Sequence, residues 1–136
     1  MPNTLAGVEA PSELTILLVD DRPSVRFGLQ LLFELEMDTL DIWEAGSSTE
    51  ALTLAANMRP DLVFMDVQLP DRDGISATAQ MTELWPHCLV IILTLHDRPE
   101  IRSLPMAAGA WAFVEKGNPE DVRFIFKEAL RVLGRC

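Results

Sequence analysis

Five short apolar runs, at residues 16–19, 40–43, 62–65, 89–93 and 111–114, recur along the chain with a helix-length segment between each pair. Each run is too short for a typical helix, and most are too uniformly apolar for a strand with one wet face. They read as strands buried on both sides of a sheet. The intervening segments at 24–36, 49–58 and 75–84, and a weaker one at 99–108, read as helices, and 120–133 closes the chain. In that last segment Val122, Ile125, Phe126, Ala129, Leu130 and Leu133 recur at spacings of three and four. Asn118 is placed to cap it, with Pro119 at the first helical position. Strand and helix alternating in this way require right-handed crossovers. The expected fold is a doubly wound α/β domain with a five-stranded parallel sheet and helices on both faces.

A chain of 136 residues with 49% apolar content has enough material for one such core. Residues 1–13, with two prolines and few large apolar groups, are expected to be a flexible lead-in, leaving 14–136 as the domain. No stretch approaches the roughly 18 apolar residues of a membrane span, and the N-terminus lacks the basic start and apolar run of a secretory signal. A soluble, cytoplasmic protein is expected. The two cysteines, Cys88 and Cys136, have no metal-ligand spacing and form no convincing disulfide framework, so both are read as reduced thiols. A formal net charge of −10 argues against direct binding to nucleic acid, which rests on clustered Lys and Arg neutralising phosphates.

In sheets of this kind chemistry collects beyond the C-terminal ends of the strands. There the first strand runs into Asp20-Asp21, the third into Asp66, the fourth into Thr94 and the fifth into Glu115-Lys116. Carboxylates held close together repel one another, and a hard divalent cation removes the conflict. Magnesium suits the group because it binds through one or two carboxylates, keeps several waters and completes its octahedron with phosphate oxygens. An Asp beside such a cation can attack phosphorus and form an acyl phosphate. Lys116 supplies a compact charge and Thr94 a hydroxyl donor to the same centre.

The segments LLVDDRPSVRFGLQLL, DLVFMDVQLPDRDGI, VIILTLHD and AAGAWAFVEKG, read together, resemble the receiver domain of two-component response regulators, from residue 14 to about 134. The resemblance implies the flavodoxin-like strand order 2-1-3-4-5. It implies that Asp66 is the phosphoacceptor, filled from a sensor histidine kinase, a phosphotransfer protein or a small phosphodonor. Mg2+ would be ligated directly by Asp21, Asp66 and the backbone carbonyl of Gln68, with Asp20 acting largely through water. Thr94 and Phe113 are the implied switch pair, remodelling the surface made by the fourth helix, fifth strand and fifth helix. Activity would be limited to self-catalysed phosphotransfer and slow autodephosphorylation, so the domain signals and is not an enzyme in its own right. The segment DDRPSVRFGLQLL is nearest to regulators carrying a helix-turn-helix output. The chain ends at Cys136, just past the last helix, so transcriptional control would run through a domain absent from it.

Two positions depart from the family pattern. Leu95 follows Thr94 where receivers usually have a small residue, so it is expected to narrow access to the phosphoryl site and slow exchange. Pro105 falls where the fourth helix should be in mid-course. Proline there removes an amide donor and crowds the carbonyl of Ile101, so that helix is expected to be kinked, short or displaced. Gln68 and His96, two residues beyond Asp66 and Thr94, stand where side chains tune acyl-phosphate lifetime. Phe27, Leu31 and Phe124 lie off the main apolar stripes and are candidates for a weak homodimer patch. Three other functions were weighed. A flavin mononucleotide binder needs phosphate donors after the first strand, where Asp20-Asp21 would repel the ligand. An aspartyl phosphatase needs an acid where Gln68 stands. A receiver-like interaction module working without phosphorylation is favoured by Leu95 and Pro105 alone.

Overall fold

The structure, a computed structural model, describes residues 13–71, 74–95 and 99–134, with the side chains of residues 99–101 also left aside. Apart from Glu13, the expected lead-in lies outside the described residues, as do His96 and Cys136. The elements alternate as expected: β1 (Leu14–Val19), α1 (Pro23–Glu34), β2 (Leu40–Ala45), α2 (Ser48–Met58), β3 (Leu62–Asp66), α3 (Gly74–Leu84), β4 (Leu89–Thr94), α4 (Pro99–Ala107), β5 (Ala112–Glu115) and α5 (Pro119–Val132). All strand pairings are parallel, in the order β2-β1-β3-β4-β5.

Side chains alternate across the sheet and build two cores. Ile16, Leu18, Phe64, Ile91 and Leu93 meet Leu29 and Phe33 of α1 and Phe126 and Leu130 of α5. At their centre Phe33 stacks on Phe126 with ring centroids 4.3 Å apart and meets Phe64 at 4.7 Å. On the other face Leu17, Val19, Val63, Met65 and Ile92 meet Ala51 and Ala55 of α2 and Ala77 and Met81 of α3. Each large side chain taken from water into these layers stabilises the fold by about 1.5–3 kcal/mol, which holds both helix layers against the strands.

The central strands β1, β3 and β4 are buried on both faces, but β2 corrects the expectation. It is an edge strand with most of its residues part-exposed, and Trp43 is 43% exposed. An apolar run cannot by itself report whether a strand has neighbours on both sides. Element ends also shift. Helix α1 begins one residue earlier than expected because Pro23 occupies its first turn, where a missing amide costs nothing. Helix α5 likewise begins at Pro119, with the Asn118 side chain accepting from the Asp121 amide at 3.2 Å. Helix α4 has nine residues, the shortest of the five described helices, with Pro105 inside it.

Candidate functional site

Strand register brings the site together. Val19 lies opposite Met65, so Asp20 comes level with Asp66 one step on. Asp66 lies opposite Leu93, and Thr94 opposite Glu115, so each successive tip toward β5 stands one residue higher and ends with Lys116. The Lys116 amide donates to the Thr94 carbonyl at 2.7 Å, which fixes the root of the lysine beside β4.

Asp20 is fully buried. Its amide donates to the Ala45 carbonyl at 3.1 Å, and its Oδ1 accepts from the Arg22 amide at 2.9 Å. Its Oδ2 is sealed from solvent and accepts no well-angled hydrogen bond, but faces Lys116 Nζ at 2.6 Å. The same ammonium stands 3.1 Å from Asp66 Oδ2, while Asp66 Oδ1 accepts from the Gln68 amide at 3.1 Å. Burial lifts the Asp66 carboxyl above its ordinary pKa; the Gln68 amide and Lys116 oppose that rise, and the Asp20 charge adds to it. Asp21, by contrast, is exposed.

Carboxylate oxygens of Asp20, Asp21 and Asp66 lie within 4.8 Å of one another. Those of Asp21 and Asp66 border an open cavity of about 520 Å³ that Gln68, Thr94, Leu95 and Lys116 also line, with Asp20 buried behind it. A hard cation fits this donor set. All three side-chain ligands are oxygens, one is a buried oxygen lacking a hydrogen bond, and a single lysine is shared between two of the carboxylates. Asp21 and Asp66 face the cavity, so they are the side chains able to reach an ion there while its remaining positions stay open.

Of the other residues singled out in the sequence, Thr94 is buried at the cavity wall and Leu95, 55% exposed, stands at its mouth. Phe113 is half-buried on β5, with the Arg102 guanidinium 5.3 Å from its ring centroid. Phe27, Leu31 and Phe124 are all exposed. Two contributors, Arg26 and Asp71, were not singled out in the sequence, and Gly74 was visible there only as part of the family resemblance in DLVFMDVQLPDRDGI. Arg26 reaches from α1 to the Asp20 carbonyl oxygen and pairs with Glu44 at 2.9 Å, bracing the acidic turn against β2. Gly74 opens α3 against the backbone of Asp66. Asp71 binds the start of α2. Gly74 had a sequence signal, its fixed distance from Asp66; Arg26 reaches Glu44 across 18 positions and Asp71 reaches Thr49 across 22.

The family profile described as the response regulator receiver domain matches residues 16–125. Among curated proteins, the chain is similar to the transcriptional regulatory protein YxjL of Bacillus subtilis, 31% identical over 120 residues, covering 88% of this chain and 55% of that protein. It is also similar to protein-glutamate methylesterase/protein-glutamine glutaminase 2 of Methanospirillum hungatei, 36% identical over 113 residues, covering 79% of this chain and 32% of that protein. The chain thus spans between about a third and just over half the length of these relatives. Among solved structures it is similar to a LuxR-family two-component response regulator from Aurantimonas sp. SI85-9A1, with a TM-score of 0.80 and 31% identity over 88% of this chain and 86% of that one.

Proposed function

The chain belongs to the response regulator receiver family, and on that premise we propose that Asp66 accepts a phosphoryl group from a histidine kinase or phosphotransfer protein in a magnesium-dependent reaction. The observation that carries this reading is the approach of the Asp20, Asp21 and Asp66 carboxylates to within 4.8 Å, with Lys116 bridging two of them.

One Asp66 carboxylate oxygen attacks phosphorus while the bond from phosphorus to the donor's imidazole nitrogen breaks; the leaving electron pair stays on the imidazole. Magnesium, held by Asp21, Asp66 and the Gln68 carbonyl with Asp20 behind a water, would neutralise charge on the transferred group. Lys116, already between Asp20 and Asp66, turns to a phosphoryl oxygen as the Asp66 charge is taken up in the acyl phosphate. Thr94 donates its hydroxyl to a second oxygen, and the half-buried Phe113 follows it inward. The surface of α4, β5 and α5 changes as a result, and the output is transcriptional control through a helix-turn-helix domain. This matches the regulatory names of similar proteins. The domain acts in the cytoplasm and does not itself grip DNA.

The test is incubation with acetyl phosphate and Mg2+ followed by intact-mass measurement. Wild type should gain one phosphoryl adduct that Asp66→Ala lacks. An adduct of equal yield in the variant would overturn the assignment. No adduct in either would favour an interaction module working without phosphate, the reading that Leu95 at the cavity mouth and Pro105 within α4 support.

A further inference from the structure

Asp71 lies five residues beyond Asp66 and three beyond Gln68, in the connection between β3 and α3. Its carboxylate nevertheless bonds to a different element. Oδ1 accepts from the Ser48 amide at 2.9 Å, and Oδ2 accepts from the Thr49 amide at 2.8 Å and the Thr49 hydroxyl at 2.5 Å. These are the first two amides of α2, donors that a helix leaves without an internal partner.

Helix α2 also has a local cap, which serves other amides. The Ser47 hydroxyl accepts from the Glu50 amide at 3.2 Å, and the Glu50 carboxylate accepts from the Gly46 amide at 2.8 Å. Asp71 therefore completes the capping of α2 from a second element, and the same bonds tie its own loop to that helix. The near end of that loop is held by three bonds. The Val67 amide donates to the Leu93 carbonyl at 3.3 Å, the Gln68 amide to Asp66 Oδ1 at 3.1 Å, and the Gly74 amide to the Val67 carbonyl at 3.0 Å. Between these bonds and Asp71 lie Gln68, Leu69 and Pro70, all bordering the cavity. Among the described residues Asp71 is the tie that joins this stretch to α2.

We propose that Asp71 is a positioning residue for phosphoryl transfer, tying the β3–α3 loop to the start of α2 so that the Gln68 carbonyl is held where the cation binds. The inference rests on the magnesium-dependent reading of the site. The Thr49 hydroxyl and amide hold the Asp71 carboxyl well below its ordinary pKa, so the tie is charge-assisted at every pH at which the protein would work. Linkage makes the effect reciprocal: whatever orders the loop steadies the first turn of α2, and a cation at Gln68 does so by the same free energy by which the α2 tie favours the cation.

The experiment uses the whole chain as wild type, Asp71→Ala, Asp71→Asn and Ser47→Ala. Magnesium chloride is titrated by calorimetry, exchange of the Ser48 and Thr49 amides is followed by NMR, and adduct formation with acetyl phosphate is measured by mass. Asp71→Ala should weaken Mg2+ binding about tenfold. Asp71→Asn, which keeps one acceptor oxygen, should fall between it and wild type, and it carries the test if the alanine variant does not fold. In wild type Mg2+ should slow exchange at Ser48 and Thr49; in Asp71→Ala it should not. Ser47→Ala loosens the same helix without touching the loop and should bind Mg2+ as wild type does. Wild-type affinity in both Asp71 variants, or an equal loss in Ser47→Ala, would overturn this inference and leave the phosphoacceptor reading standing. A wild type that neither binds Mg2+ nor gains an adduct would overturn both.

Discussion

A Cβ placed on Gly74 would lie 2.0 Å from the carbonyl oxygen of Asp66, so α3 begins in direct contact with the backbone of the residue that ends β3. Its amide also donates to the Val67 carbonyl at 3.0 Å, and the glycine has no room to retreat. The spacing between Asp66 and the glycine eight residues on is therefore a packing requirement.

Gly74→Ala must push the Asp66 backbone away from its neighbours. Overpacking of this kind costs about 1–3 kcal/mol. The phosphorylation rate should fall further than stability does, by about 10²-fold, because the attacking carboxylate moves off line. Urea unfolding together with acetyl phosphate kinetics separates the two effects; a rate within twofold of wild type would contradict the steric account.

Lys116→Ala should destabilise the metal-free protein by about 3 kcal/mol, because it leaves the fully buried Asp20 without its cationic partner. Mg2+ should restore part of that loss, since an ion binding the folded state takes over the neutralisation. Unfolding curves in EDTA and in excess Mg2+ provide the check, with a smaller Mg2+ benefit expected for wild type.

Leu95→Ala should speed both phosphorylation and loss of the phosphoryl group several-fold. Its side chain lines the cavity beside Thr94, and the smaller residue would leave more room for donor and water to enter. Stability should change little, since Leu95 is 55% exposed. Adduct formation and decay followed by mass measurement would show either the acceleration or its absence.

Cys88 should resist alkylation in the folded protein and react once it unfolds. Burial, with the Asp61 charge adding to it, pushes the thiol up to about 12. Because the folded value is raised, the contribution to stability is complete below the ordinary thiol range, near 8.5, and declines as pH climbs from there toward the folded value. Peptide mapping after iodoacetamide treatment at pH 8, with and without denaturant, tests the shielding; rapid labelling at Cys88 without denaturant would contradict it.

Much of this molecule was legible in its sequence because the signals are local. Apolar runs of strand length separated by helical periods point to a parallel sheet, in which Ile16, Phe64 and Ile91 meet the stripe of Val122 and Phe126 on one face while Leu17, Val63 and Ile92 meet Ala51 and Met81 on the other. Asp20, Asp66, Thr94 and Lys116 were visible for the same reason: each ends, or directly follows, a strand, and parallel strands gather their C-terminal ends at one edge.

The apolar run at 40–43 does not by itself place Trp43 on an edge strand; the strand order implied by the family resemblance does, and the fold has that order. Other relations between distant positions were decided by tertiary structure alone. The sharing of one ammonium between Asp20 and Asp66 follows from strand register, which sets the two carboxylates level while Lys116, just past the end of β5, stands two residues higher. The bonds from Asp71 to Ser48 and Thr49, and from Arg26 to Glu44, join elements whose proximity exists only once the sheet has formed. Sequence determined which chemistry this edge carries, through the residue types that end each strand. The folded chain decided how those groups are held, because distance and burial arise from packing.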